Sequence, residues 1–183
     1  MPRLFVAVPL PAELKRRLGQ LQQQLKSSGF ALRLPRPESL HVTLAFLGDR
    51  PVESLEQLRA AVLSVGRSHG AFSCDCAGLG AFPSRHRSRV LWAGFEDPLP
   101  WHDLHGRLST ALGEDVGRFH PHVTLARVRG RPCDASALIQ RWQQETWGRI
   151  RVDRVILYRS ELQPGGAIHT PLAQALLMGP VTE

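Results

Sequence analysis

The stretch HVTLA occurs twice in this chain, at residues 41–45 and again at 122–126. The first copy opens HVTLAFLG (41–48), and the second lies within HPHVTLAR (120–127). The two copies begin 81 residues apart in a chain of 183 residues. Because this spacing is close to half the chain length, we interpret the repeat as an internal duplication. Two similar lobes, each contributing one copy, would then face each other across a cleft.

Each copy has the alternation of a half-buried β-strand. Successive side chains on a strand point to opposite faces. His41 and Thr43 therefore share one face, and Val42 and Leu44 share the other. His122 and Thr124 repeat the arrangement. An amphipathic strand with a polar outer face would explain either copy alone. The recurrence of His-x-Thr at half-chain spacing favours a functional site instead.

The remaining sequence predicts alternating strands and helices. We expect strands over 4–10, 71–82, 88–95 and 151–160, with a last strand after a glycine-rich turn at 164–166. Leucine and valine at helical spacing predict helices over 11–26, 52–66, 99–113 and 134–145. The whole chain, 1–183, is predicted to be a single domain with two pseudo-equivalent lobes that carry the motifs at 41–43 and 122–124.

The charge of the chain indicates a polyanionic partner. The formal net charge is +7, and Lys15 and Lys26 are the only lysines among 23 basic residues. Arginine offers a planar fork of donors that matches phosphate oxygens, so nucleic acid is the first candidate. Solubility, or the composition bias of a GC-rich genome, would explain the same charge.

Composition argues against several other classes of protein. No apolar run approaches the length of a membrane span, and the N-terminal residues lack a signal-peptide pattern, so we predict a cytoplasmic protein. The three cysteines, Cys74, Cys76 and Cys133, are interpreted as reduced small hydrophobic residues. The sequence contains no GxSxG, P-loop or dinucleotide-binding motif.

Two facing His-Thr pairs suit in-line displacement at phosphorus. Imidazoles titrate near neutral pH, so one can accept a proton from water while the other donates a proton to the leaving oxygen. The two threonine hydroxyls can hold the oxygens of a tetrahedral anion. The alternative is a metal site formed by His102, His105, His120 and His122. No carboxylate or cysteine stands beside the motif histidines, so we predict no metal.

At this level of detail the chain resembles the RNA 2′,3′-cyclic phosphodiesterases of the 2H phosphoesterase superfamily, historically called 2′-5′ RNA ligases. The resemblance spans nearly the whole chain through LFVAVPLP, PESLHVTLAFLG, GLGAFPS, RVLWAG, FHPHVTLAR and LYRSELQPGGA. It implies a bilobal, pseudo-symmetric α+β fold in which each lobe has an antiparallel sheet backed by helices, with the active cleft between the lobes. It also implies hydrolysis of an RNA 2′,3′-cyclic phosphate end to a 2′-phosphate without metal or nucleotide cofactor.

The resemblance also implies roles for individual residues. His41 matches the proton donor to the leaving 3′ oxygen, and His122 matches the proton acceptor; the near-symmetric sequence alone leaves these two roles open. Thr43 and Thr124 match the threonines that grip the phosphate. Arg127 matches the arginine of the HxTLAR motif, with a surface ion pair as its alternative role.

The sequence also offers candidates for contacts to the rest of the substrate. Phe46, Phe82 and Phe119 are candidates for stacking on a base, with a core role as the alternative for each. Arg85, in the loop over 83–89, is a candidate for contact with the RNA backbone, with a solvated turn as the alternative. The chain departs from its relatives in having Leu34 where they often have an aromatic residue. It also has His169 where they often have tyrosine.

Three functions therefore stay open at the level of sequence. The first is a metal-independent cyclic phosphodiesterase acting on RNA 3′ ends or cyclic nucleotides. The second is an RNA-binding module that keeps the cleft without turnover. The third is a ligase or phosphodiesterase variant acting on tRNA halves or on cyclic phosphates of ADP-ribose. Nothing in the sequence indicates an obligate partner, so we predict a monomer.

Overall fold

The strands of the molecule pair into one antiparallel sheet, described here from a computed structural model that covers residues 2–164 and 166–179. The strands are β1 Arg3–Pro9, β2 Leu32–Arg33, β3 His41–Asp49, β4 Phe72–Phe82, β5 Val90–Phe95, β6 Val123–Val128, β7 Thr146–Val152, β8 Arg154–Gln163 and β9 Gly166–Leu176. The helices are α1 Ala12–Lys26, α2 Leu55–Ser68, α3 Leu99–Leu112 and α4 Ser136–Trp142. The α+β class predicted from the sequence is confirmed.

The sheet consists of two four-stranded halves that meet at the repeated motif. The strand order is β7-β4-β5-β6-β3-β1-β8-β9, and the short β2 adds to β6. The inner strands of the halves, β3 and β6, pair at one position, where Val42 lies opposite Val123. Each half contains a matching strand–helix–strand unit, β1-α1-β3 and β5-α3-β6, whose two strands are antiparallel neighbours. The two motif strands therefore lie side by side at the junction.

The helices tie the two halves together. Helix α1 connects β1 to β3 of one half but packs against β6 and β7 of the other, and α2 packs against β8, β9 and α3. Residues of both halves contribute to one buried hydrophobic cluster. The two halves thus share helices and a hydrophobic core, and the single domain stays a prediction. No helix among the described residues is long and apolar enough to cross a membrane.

Three local predictions need correction. The segment 151–160 was expected to be one strand, but Asp153 separates β7 from β8, and its carboxylate binds Arg154 at 2.8 Å. The fourth helix covers only Ser136–Trp142, because the chain after it turns into β7 instead of continuing to residue 145. The two-residue strand β2 was not predicted. In the glycine-rich turn at 164–166, Gly165 lies outside the described residues.

Candidate active site

Both motif strands contain a β-bulge at the Leu-Ala dipeptide of HVTLA. Along β1, Val6 pairs with Ala45 and the next residue pairs with Thr43, so Leu44 is skipped. Along β5, Leu91 pairs with Ala126 and Trp92 pairs with Thr124, so the leucine of the second copy is skipped in the same way. One extra residue in a strand reverses the alternation of faces beyond it.

The bulges add a third residue to each His-Thr pair. Strict alternation would place Arg127 on the same face as the buried Leu125, whereas the bulge returns it to the face of Thr124. Phe46 is brought to the face of Thr43 by the first bulge. Both residues line the cleft described below. Each strand therefore presents histidine, threonine and a third side chain five residues after the histidine, aromatic in one half and cationic in the other.

The two motif histidines are held by equivalent hydrogen bonds. Nδ1 of His41 donates to the carbonyl of Ser39 at 2.7 Å, and Nδ1 of His122 donates to the carbonyl of His120 at 2.6 Å. A carbonyl can only accept, so Nδ1 carries the proton in the neutral ring and Nε2 has the free lone pair. Thr43 Oγ1 lies 3.0 Å from Nε2 of His41 and donates to it in this state.

Aromatic side chains flank both imidazoles. The ring of His41 lies 5.1 Å from Phe5 and 5.4 Å from His169, where the contact is edge-on. The ring of His122 meets Phe82 edge-on at 4.9 Å and lies 6.1 Å from Trp92. These contacts restrict the rings from the sides, while the Nδ1 hydrogen bonds fix their rotation. The reactive Nε2 atoms are therefore positioned before any substrate arrives.

Burial lowers the pKa of both imidazoles. It brings the pKa of His41 down to about 4, against the opposing effect of the Ser39 carbonyl, and the neighbouring His169 lowers it further. The pKa of His122 is also lowered, first by burial and then by His120 and Arg127. Without a bound anion, both rings are neutral at physiological pH. Each is then ready to accept a proton, and an anion is needed to make one of them a donor.

The motif residues share one cleft of about 1110 Å³. His41, Thr43, His122 and Thr124 all line it. Its cationic lining residues are Arg3, Lys26, Arg33, Arg36, Arg127 and Arg129, and no aspartate or glutamate is among its lining residues in the described part of the chain. At the Val42–Val123 register, His41 lies next to Thr124 and Thr43 lies next to His122. The four side chains can therefore converge on one small anion.

The other residues singled out from the sequence fall into two groups. Phe46 lies in the cleft with 74% of its surface exposed, free to stack on a base. Phe82 packs on His122 and is not among the residues that line the cleft. Phe119 lies outside as well, stacked on His105 with ring centroids 4.6 Å apart. Arg85 begins an exposed 3₁₀ turn over Arg85–Arg87, also away from the described lining of the cleft.

One residue that positions the site was missed by sequence analysis. Gln22 is buried on α1, and its Nε2 donates both to the carbonyl of Pro35 at 2.9 Å and to that of Leu125, inside the second bulge, at 3.0 Å. The signal was present, since a glutamine stands one turn after Leu18 on the apolar face of the helix. Its partners, distant in sequence, were not predictable.

The histidines considered as metal ligands contact aromatic side chains. His102 meets Phe119 edge-on with ring centroids 5.5 Å apart, and His105 stacks on it at 4.6 Å. Within residues 2–164 and 166–179, no group of three or more His, Cys, Asp or Glu side chains is placed to hold a metal ion.

A family model described as LigT like Phosphoesterase matches residues 8–92 and 102–169, which include both His-x-Thr motifs. The chain belongs to the LigT-like phosphoesterase family. The resemblance drawn from the motifs is thereby confirmed.

Relatives of this LigT-like phosphoesterase match it over nearly its whole length. An RNA 2′,3′-cyclic phosphodiesterase of Methanothermobacter thermautotrophicus is 36% identical over 176 residues, covering 93% of this chain and 96% of the relative. Among solved structures, TT0787 of Thermus thermophilus superposes with a TM-score of 0.82 at 31% identity, covering 97% and 98% of the two chains. E. coli LigT complexed with 3′-AMP gives 0.74 at 30% identity, covering 97% and 98%. The pseudo-symmetric fold predicted from the motifs agrees with these neighbours.

Proposed function

We propose that this LigT-like phosphoesterase hydrolyses the 2′,3′-cyclic phosphate at RNA 3′ ends to a 2′-phosphate by general acid–base catalysis without a metal. The observation that carries the proposal is that two His-Thr pairs from neighbouring strands line one cation-lined cleft. Relatives that share 36% and 33% of their residues with this chain are named RNA 2′,3′-cyclic phosphodiesterase. The monomeric state and cytoplasmic location predicted from the sequence stay predictions.

In the proposed reaction a water molecule attacks phosphorus in line with the bond to the 3′ oxygen. Nε2 of His122 accepts the water proton as the new P–O bond forms, and Nε2 of His41 donates a proton to the 3′ oxygen as its bond to phosphorus breaks. The products are a 2′-phosphate and a free 3′ hydroxyl. The assignment of acid and base to these two histidines rests on the family resemblance, because both rings have the same Nδ1 anchor.

The remaining cleft residues support the negative charge of the reacting group. The hydroxyls of Thr43 and Thr124 donate to the non-bridging oxygens, and Arg127 places a guanidinium on the same face. The cyclic phosphate is itself an anion, so it favours the charged form of an adjacent imidazole. Binding of the substrate thereby raises the pKa of His41 from its low value, so that His41 takes up from solvent the proton that it has to donate. Phe46 is placed to stack on the terminal base.

The proposal is tested with His41→Ala and His122→Ala, assayed on a nucleoside 2′,3′-cyclic phosphate and on RNA with the same end. We expect turnover to fall by about 10²–10⁴-fold in each variant, because each removes one proton-transfer group. His86→Ala is the matched control, since His86 is exposed and its neighbours are Asp134 and Ser136 outside the cleft. EDTA should leave the wild-type rate unchanged.

The outcomes separate the candidate functions. Near-normal hydrolysis by either cleft variant, with the fold intact by circular dichroism, would remove the acid–base proposal. Binding of the cyclic end by the wild-type protein without product would indicate an RNA-binding module. A joined 2′-5′ product in preference to the 2′-phosphate would indicate a ligase variant.

A further inference from the structure

The cations of the cleft have no ion-pair partner among the described residues. The ion pairs of the described residues involve Arg16, Arg17, Arg50, Arg59, Arg107, Arg149, Arg154 and Arg159, together with His69 and His86. None of the six cationic residues that line the cleft is among them. Carboxylates thus neutralise many arginines elsewhere, whereas these six cations have no carboxylate partner in the described part of the chain. Such a concentration of positive charge favours an anionic ligand.

Two of these arginines lie directly opposite each other in the sheet. Strand β2 pairs with β6 so that Arg33 faces Arg127, and both side chains are exposed. Like charges at directly opposed positions of an antiparallel pair destabilise the sheet. An anion between the two guanidiniums would turn this repulsion into attraction. Arg129 follows two residues along β6, and its backbone N–H donates to the carbonyl of Ala31, which keeps it beside the start of β2.

The cations are distributed unevenly along the cleft. The segment that contains β6 runs from His122 through Thr124 to Arg127 and Arg129, and β2 pairs with its last residues. Lys26 ends the helix that leads into β2, and Arg36 lies on the segment that leads from β2 to His41. Only Arg3 lies at the opposite end, where β1 pairs with Asp49 of β3. Five of the six cationic residues in the cleft therefore lie towards the β2 end.

We propose that the β2 end of the cleft, where Lys26, Arg33 and Arg129 lie beyond Arg127, binds the backbone phosphates of single-stranded RNA upstream of the reacting end. This inference rests on the proposed function, because a strand that ends in a cyclic phosphate can leave the reaction centre only in its 5′ direction. The reacting phosphate carries one negative charge, which the two threonines and one arginine can satisfy. The other cations then bind the phosphates of the preceding nucleotides.

The proposal predicts a difference between long and short substrates. A nucleoside 2′,3′-cyclic phosphate has no upstream phosphate, whereas an oligonucleotide with the same 3′ end has several. Contacts between cations and phosphates release counterions, so the logarithm of affinity for single strands falls with the logarithm of salt concentration by about 0.7 per contact. The specificity constant for the oligonucleotide should therefore depend steeply on salt, and that for the nucleoside should depend on it weakly.

The test uses Arg33→Ala, Arg129→Ala and the double variant on an RNA oligonucleotide and on the matched nucleoside 2′,3′-cyclic phosphate. We expect kcat/KM for the oligonucleotide to fall about tenfold or more in the double variant, with a salt slope lower by about 0.7 for each arginine removed. On the nucleoside the change should be less than about twofold. Arg67→Ala is the matched control, because Arg67 is an exposed arginine on α2 outside the lining of the cleft in the described residues.

A binding measurement separates this inference from the proposed reaction. Fluorescence anisotropy of a labelled oligonucleotide with a 2′-phosphate end needs no turnover, so it reports on the β2 end even if the wild-type protein hydrolyses neither substrate. Weaker binding of the double variant than of Arg67→Ala supports the proposal. Equal binding of the two, or equal losses of kcat/KM on the oligonucleotide and the nucleoside, would overturn it.

Discussion

The backbone carbonyls of Ser39 and His120 decide what the motif histidines can do. Each carbonyl lies two residues before its histidine and accepts a hydrogen bond from Nδ1–H. Nε2 of His41 and of His122 is therefore the atom that exchanges protons. Burial then favours the neutral ring in both halves. The two residues that the sequence offers as an acid and a base are thus two bases in the free protein, and the substrate anion converts one of them into the acid.

This coupling predicts different pH dependences for kcat/KM and kcat. The free-protein pKa values govern kcat/KM, and both are lowered, so we expect a bell-shaped profile with both limbs below about pH 6.5 and a fall towards neutral pH. The profile of kcat reports the complex, where the bound anion raises the pKa of the imidazole, so its alkaline limb should lie higher.

The measurement is steady-state hydrolysis of a nucleoside 2′,3′-cyclic phosphate over about pH 4 to 9. His169→Phe provides a second variant, because the charged form of His169 opposes that of His41. The limb of its kcat/KM profile that follows the pKa of His41 should move upward. Coincident profiles for kcat and kcat/KM would contradict the proposed role of the substrate anion.

At the level of elements, sequence reasoning identified the motif strands but not their bulges. The repeat HVTLA and its alternation were enough to place His41 and His122 on strands and on the same face as their threonines. The position of Arg127 depends on a bulge at Leu125, which no local pattern indicates, because the dipeptide Leu-Ala is ordinary in a regular strand. The short strand β2 was unpredictable for a similar reason, since it exists only through its pairing with β6.

Packing of α1 supports the bulge in β6. Gln22 donates to the carbonyl of Leu125 within the bulge and to that of Pro35, on the segment between β2 and His41. One side chain therefore links a helix of the first strand–helix–strand unit to the motif strand of the second. Its replacement should affect both the stability of the fold and the placement of Arg127.

We predict that Gln22→Met lowers the free energy of unfolding by about 1–3 kcal/mol, because it leaves two carbonyls without their buried donor. The specificity constant should also fall, because Arg127 follows the bulge. Urea denaturation and steady-state kinetics measure the two effects. The control is Gln23→Met, since Gln23 is the exposed neighbour on the same helix. Equal unfolding free energies for the two variants would show that Gln22 does not support the bulge.

At the scale of the whole molecule, the described residues of β3 and β6 pair at one position, and helices pack across the junction between the two halves. Pairing at Val42 and Val123 brings the two motifs side by side, and both line the same cleft. The sequence predicted two lobes across a cleft. It did not predict that α1 would pack on the strands of the other half, because the apolar face of a helix does not indicate which strands it will pack against.

The buried imidazoles also make the stability of the whole fold depend on pH. The pKa of His41 is about 4 in the fold and about 6.5 in an unfolded chain, so between these values the unfolded state binds a proton that the folded state does not. Stability is therefore lost as pH falls from about 6.5 towards 4, by about 2–3 kcal/mol from this residue at pH 4.5.

We expect His41→Gln to lose less stability than the wild-type protein between about pH 7 and pH 4.5, as measured by urea denaturation. The control His86→Gln alters an exposed ring outside the cleft and should follow the wild type. Inorganic phosphate should restore part of the acid loss in the wild type, because an anion in the cleft stabilises the imidazolium that burial disfavours. An identical loss of stability at acid pH in His41→Gln and the wild type would mean that burial does not lower the pKa of His41. A substrate anion would then not be needed to protonate that imidazole.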